Sequence, residues 1–172
     1  MAASTIPSRP APLAADDARL GAWRAFIHAN SLLLRRMDEE LQASHHLSLA
    51  EYDALLQLVN APERRLRMSV LAERVLLSRS GITRLVDRLE TAGMVARTAC
   101  TTDARGAEAA LTPLGVERLR AASRTHLEGV RRYFLAAMTD TDRDALERAC
   151  QGVLDELGRV PAGGAACVPR TG

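Results

Sequence analysis

Apolar residues return at intervals of three or four over the first quarter of the chain: Leu20, Trp23, Ile27, Leu34, Met37 and Leu41, with Ser31 holding one place in the series. That spacing keeps them on one face of a 3.6-residue repeat and predicts a long amphipathic helix over about residues 18–43. The stretch Leu47-Ser48-Leu49-Ala50-Glu51-Tyr52 then has the pattern of a capping box, with Ser48 as N-cap and Glu51 three residues on. Leu47 and Tyr52 are placed to close over that turn as a hydrophobic staple. Asp53 is expected in the first turn, where the helix dipole favours a carboxylate. Ala61-Pro62 should end the helix near Asn60.

In the middle of the chain the period changes twice. Ser69 is expected to cap a short third helix with Leu71, Ala72 and Val75 inward. Ser78 is expected to cap a fourth, with Leu77 stapled to Ile82 and a buried stripe of Ile82, Leu85, Val86 and Leu89. Gly93 is the natural left-handed residue beyond its end. Two helices so closely joined have the helix-turn-helix spacing. Met94 to Cys100 and Ala107 to Leu111 read as two strands joined by Asp103-Ala104-Arg105-Gly106. Thr112-Pro113 opens a helix running to about Ala137, with Leu114, Leu119, Leu127, Val130 and Phe134 apolar and Gly129 a weak point. Thr141, with Asp144 three residues on, is expected to cap the last helix. Its apolar face holds Leu146, Ala149, Cys150, Val153, Leu154 and Leu157, with Cys150 buried and Gly158 at the end.

The predicted fold is therefore mainly α, an α+β winged helix-turn-helix with about six helices and a two-stranded β-wing. Residues 18–157 should form one domain, with 48–112 as the winged lobe and 18–47 and 113–157 as flanking helices; 1–17 and 158–172 read as a disordered lead and tail. The lobe is too small to hide both apolar flanks. Pairing them with a second copy of the chain is the economical solution, an intramolecular antiparallel pack the alternative.

At 172 residues the chain is long enough for one real core. All its basic residues are Arg, which a GC-rich gene would also produce. The formal charge of +2 is modest, but from Arg64 to Arg105 nine Arg face four acids. A positive middle on a weakly negative scaffold is the footprint of a protein that meets a polyanion with one face. No apolar run approaches 18 residues and the first 17 lack a signal-peptide pattern, so a cytoplasmic setting is expected. Cys100, Cys150 and Cys167 match neither a disulfide framework nor a zinc site, and the adjacent His45 and His46 do not make a coordination sphere. No nucleophile–base pair, glycine loop or metal cluster stands at meaningful spacing, so no catalytic residue, metal or cofactor is expected.

Ser78, Arg79, Ser80, Thr83, Arg84 and Arg88 lie off the buried stripe of the fourth helix. The N-terminal part of such a helix enters the major groove of duplex DNA, where Arg clamps guanine O6 and N7. Arg79, Ser80, Thr83 and Arg84 are placed near bases, with Arg88 as a phosphate contact and Arg97 touching backbone from the first strand. A surface ion pair is the plain alternative for Arg84 and Arg88. Arg64, Arg65 and Arg67 reach flanking phosphates or line a solvated loop.

The order of elements, with the phrases LAERVLLSRSGITRLVDRLETAGMV and DARG, resembles the MarR family of bacterial transcription regulators over about residues 20–157. The resemblance implies a homodimer whose two winged helices grip a palindromic site, usually as a repressor, and a small aromatic or phenolic molecule that loosens the grip. It places Arg105 at the wing tip in the minor groove, with Asp103 bracing it or capping the turn. Ala104 and Thr98 stand where many relatives carry further charge, which implies a weaker hold by the wing. It also implies an effector pocket near Trp23, Phe26, His28, His45, His46 and Tyr52, although Trp23, on the apolar stripe, is more readily a dimer or core residue than a ligand wall. Two alternatives stand beside this reading. One is a dimeric protein of the same fold that binds no DNA. The other is a redox-responsive regulator, for which Cys100 is the cysteine nearest the DNA.

Overall fold

The structure, a computed structural model, describes residues 20–99 and 107–158. Helix α1 (Leu20–His45) is followed by α2 (Leu49–Val59), a single 3-10 turn at Pro62–Arg64, strand β1 (Arg65–Arg67), α3 (Met68–Arg74), α4 (Arg79–Thr91), β2 (Val95–Ala99), β3 (Ala107–Leu111), α5 (Pro113–Gly129) and α6 (Asp140–Glu156). The predicted winged helix-turn-helix within a helical frame is present. No helix among the described residues is long and apolar enough to cross a membrane.

The core sits in the winged lobe. Leu55 and Leu58 of α2, Leu71 of α3, Ile82, Leu85, Val86 and Leu89 of α4, and Val95 and Ala109 of the sheet are sealed from solvent. Leu41 from the end of α1 and Leu119 and Ala122 from α5 complete the cluster, so both long helices are anchored on the lobe. Each large aliphatic side chain buried there contributes about 1.5–3 kcal/mol. The Ser48 box forms as expected: its hydroxyl accepts from the Glu51 N–H at 3.2 Å while the Glu51 carboxylate accepts from the Ser48 N–H at 2.9 Å. Asp38 of α1 adds a second cap, its Oδ1 accepting from the Leu49 N–H at 2.7 Å. Gly93 takes φ +71° beyond α4.

Several expectations are corrected. The sheet has three antiparallel strands in the order β1-β3-β2, not two; Leu66 pairs with Ala109, and Ala109 with Arg97. β1 offers one buried residue between two exposed arginines, too short a run for alternation to register. Ser69 does not cap α3, because the chain enters that helix directly from β1 with Arg67 at the N-cap and no side-chain bond there. The last helix is capped by Thr139, not Thr141: Thr139 and Asp142 exchange both bonds of a capping box, whereas Asp144 lies beyond reach of the turn. Asp53 lies past the first turn of α2, half-buried and bonded by Gln57. Burial pushes its carboxyl up from the usual range, with the Gln57 bond opposing it. Cys150 is half-buried, since α6 has no buried residue at all. The weakness expected at Gly129 is where α-helical bonding stops: Val130–Phe134 form one π turn and Leu135–Ala137 a 3-10 turn.

Candidate nucleic-acid interface

Helix α4 owes its position to its buried stripe and its entry to Ser78, whose hydroxyl accepts from the Gly81 N–H at 3.1 Å. The opposite face is open. Ser78, Arg79, Ser80, Thr83 and Arg84 line one shallow solvent-facing depression at its N-terminal end. The hydroxyls of Ser78 and Ser80 lie 3.2 Å apart, and Thr83 is turned back onto the Arg79 carbonyl at 2.9 Å. Arg79 and Arg84 have no ion pair among the described residues; Asp87, the acid one turn along from Arg84, is taken by Arg97. Two unneutralised guanidiniums therefore share this edge with N–H groups at the positive end of the helix dipole, an arrangement suited to an anion.

The other two arginines of this group are engaged inside the molecule. Arg88 donates from Nε to Glu51 Oε1 at 2.7 Å while the rest of its side chain stays 59% exposed. Glu51 is the one buried charged residue among those described, only 7% exposed. Burial pushes its carboxyl up, but the hydrogen bonds from Ser48 and Arg88 outweigh that and hold it below the usual range. Arg97 reaches from β2 to the back of α4, where it donates to the Thr83 carbonyl at 3.1 Å and pairs with Asp87. Its backbone N–H donates to Glu90 at 3.0 Å. Arg97 thus acts as a strut between wing and helix, a role that its place in the sequence did not suggest. The wing turn with Asp103 and Arg105, together with Cys100 and Cys167, lies outside the described residues.

The residues expected around an effector pocket are divided. His45 and Tyr52 come together against α5: His45 Nε2 lies 2.7 Å from Thr125 Oγ1, and the Tyr52 hydroxyl donates to Ser123 at 3.4 Å. The Tyr52 ring stacks on His126 with centroids 4.5 Å apart. His126 Nδ1 is the only buried side-chain polar atom among the described residues without a hydrogen-bond partner, and burial lowers the pKa of its ring. Sequence reasoning missed His126, Thr125 and Ser123, which lie on a helix face whose partner only the fold supplies. Trp23, Phe26 and His28 are not there. They are exposed on the first turns of α1, with His28 about 25 Å along the helix from His45. His46 stands at φ +55° just beyond α1, which gives it a backbone role.

Comparison with known proteins adds identity to this geometry. A model of the MarR family matches residues 45–106, the stretch from the end of α1 into the wing. The crystal structure of Sco3205, a MarR family transcriptional regulator from Streptomyces coelicolor solved in complex with DNA, superimposes with a TM-score of 0.80 at 33% identity, over 90% of this chain and 96% of that one. AbsC, a second MarR family regulator from the same organism, superimposes with a TM-score of 0.78 at 30% identity, over 87% of this chain and all of the other. Sco5413, a third, gives a TM-score of 0.71 at 25% identity, over 81% and 95%. No curated protein matches in sequence. With a helix-turn-helix whose Arg79 and Arg84 carry no ion pair among the described residues, a three-stranded wing and likeness over about nine-tenths of its length to such regulators, the chain belongs to the MarR family of DNA-binding transcription regulators.

Proposed function

We propose that the protein is a homodimeric repressor that grips a palindromic operator with two copies of α4 and releases it on binding a small aromatic or phenolic molecule. The observation that carries this reading is the pair of unneutralised arginines, Arg79 and Arg84, at the capped N-terminal end of α4. Together with Ser78, Ser80 and Thr83 they meet base edges in the major groove, while Arg88 meets phosphate. Arg105 of the wing turn, which lies outside the described residues, meets the minor groove in this reading, with Asp103 near it in sequence. Residues 48–112 form the DNA-binding lobe, and 18–47 with 113–157 form the dimerisation region.

Dimerisation draws support from the large apolar side chains left in water. Trp23 (60% exposed), Phe26, Ile27, Leu32 and Leu34 on α1, Val153 and Leu154 on α6 and Leu157 at its C-cap are left exposed by the described residues. Trp23 and Phe26 are accordingly interface residues, and the effector site centres on Tyr52 and His45 with His126. That the similar Sco3205 was solved in complex with DNA supports the same mode for this chain.

Selection of bound duplexes from a random pool tests the proposal. The expected product is a pseudo-palindrome with half-sites about one helical turn apart. Failure to enrich any sequence, with equal gel shifts on all duplexes, would leave a dimeric protein that reads no DNA sequence. On the selected duplex, Arg84→Ala should lose about 1–3 kcal/mol and relax the preference at one base step. A screen of phenols and aromatic acids against the complex then tests release.

A further inference from the structure

We propose that Glu51 is a positioning residue for DNA binding: its buried carboxylate holds the inner edge of the Arg88 guanidinium so that the outer edge is presented, already oriented, to a backbone phosphate. This rests on the reading of α4 as the recognition helix and assigns a function to a residue of another helix. Glu51 sits in the first turn of α2, and both of its oxygens are used. Oε2 accepts from the Ser48 N–H at 2.9 Å, and Oε1 accepts from Arg88 Nε at 2.7 Å. An ionised carboxylate this well buried stays only where such bonds compensate the loss of water, and here a cap and a guanidinium do so together.

The contact uses only Nε of Arg88. The guanidinium is planar and has five N–H groups, so four remain on its two Nη atoms, in a fork that matches two phosphate oxygens. The side chain is largely exposed, and Arg88 lies one turn beyond Arg84 on the same helix. A free arginine loses rotamer freedom when it grips a phosphate, whereas one held by Glu51 has lost much of that freedom on folding. The sign of the effect separates this from plain electrostatics. A carboxylate near DNA repels phosphate, so its neutralisation should tighten binding if charge alone matters. If it orients Arg88, neutralisation should weaken binding.

Glu51→Gln makes the test, because Gln at this position of a capping box still accepts from the Ser48 N–H but has no second oxygen for Arg88. Affinity for a labelled random-sequence duplex is measured over a range of salt for the full chain, Glu51→Gln, Arg88→Ala and the double variant, beside their thermal unfolding. Arg88→Ala should bind more weakly and lower the log–log salt slope by about 1. Glu51→Gln should bind about fivefold more weakly with its unfolding midpoint near the parent's, and the double variant should be no weaker than Arg88→Ala alone. Equal or tighter binding by Glu51→Gln, additive losses in the double variant, or parent-like binding by Arg88→Ala overturns the proposal. Arg84→Ala on a selected duplex judges the recognition helix separately. Should Glu51→Gln unfold, Arg88→Lys keeps the charge but loses the fork. It should fall between the parent and Arg88→Ala, and parity with the parent overturns the proposal.

Discussion

Gly115, in the first turn of α5, packs so closely that a Cβ there would stand 2.1 Å from the Met94 carbonyl oxygen and 2.7 Å from Leu111. The Met94 oxygen belongs to backbone and cannot swing aside, so Gly115→Ala must push α5 off the wing. A loss of about 1–3 kcal/mol is expected, read as a lower midpoint of urea unfolding. Leu76 is the converse case. It occupies the turn between α3 and α4 at φ +54° with 84% of its surface exposed, so it carries a backbone cost and buries little. Leu76→Gly should raise stability by about 0.5–1 kcal/mol in the same assay. His126 makes a prediction in pH. Burial depresses its pKa below the ordinary 6.5, so the folded state prefers the neutral ring. Stability from this group is full above the unfolded value and falls as pH drops through 6.5 toward the folded pKa. Urea midpoints at pH 7.5 and 5.0 should therefore drop more for the parent than for His126→Phe.

Helix α4 and the wing are held together by charged side chains that double as spacers. Arg97 ties β2 to the Thr83 carbonyl and to Asp87, so Arg97→Ala should loosen the wing while the core stays intact. Faster hydrogen exchange in β2 and β3 with unchanged exchange in α2 is the expected signature. These elements differ in how much of them a reader of the sequence can see. The Ile82/Leu85/Val86/Leu89 stripe, the Ser48 and Ser78 caps and the Gly93 stop are local signals, and they appear where periodicity and capping chemistry put them. β1 did not register, because Arg65-Leu66-Arg67 becomes a strand only when the neighbouring edge of β3 supplies its hydrogen bonds. The α6 cap lies two residues before the expected one because Thr139-Asp140-Thr141-Asp142-Arg143-Asp144 offers two overlapping cap candidates, and only the geometry of entry chooses between them. The site divides in the same way. Exposure of Arg79 and Arg84 follows from helix phase alone, whereas the partners of Arg88 and Arg97 lie 37 and 14 residues away and depend on tertiary packing.

Among the described residues, α1 and α5 are anchored on a lobe with a sealed core, while the start of α1 and the whole of α6 are left unfinished. α1 contributes only Met37 and Leu41 to the buried set and α6 contributes none, while their apolar faces stand in water. In the proposed dimer those faces are closed and the distance between two recognition helices is set, which would turn a weak single contact into a site-specific grip. Trp23→Glu together with Leu154→Glu should give a monomer by sedimentation at micromolar concentration and abolish operator binding, with α4 untouched. In the proposed dimer, α4 of each subunit reads the major groove through Arg84. Methylation interference at guanine N7 on a selected duplex reports that contact directly. Interfering guanines should fall in two clusters about ten base pairs apart, and Arg84→Ala should lose the interference at one guanine in each. Binding indifferent to N7 methylation, or the same interference pattern in Arg84→Ala, would contradict it.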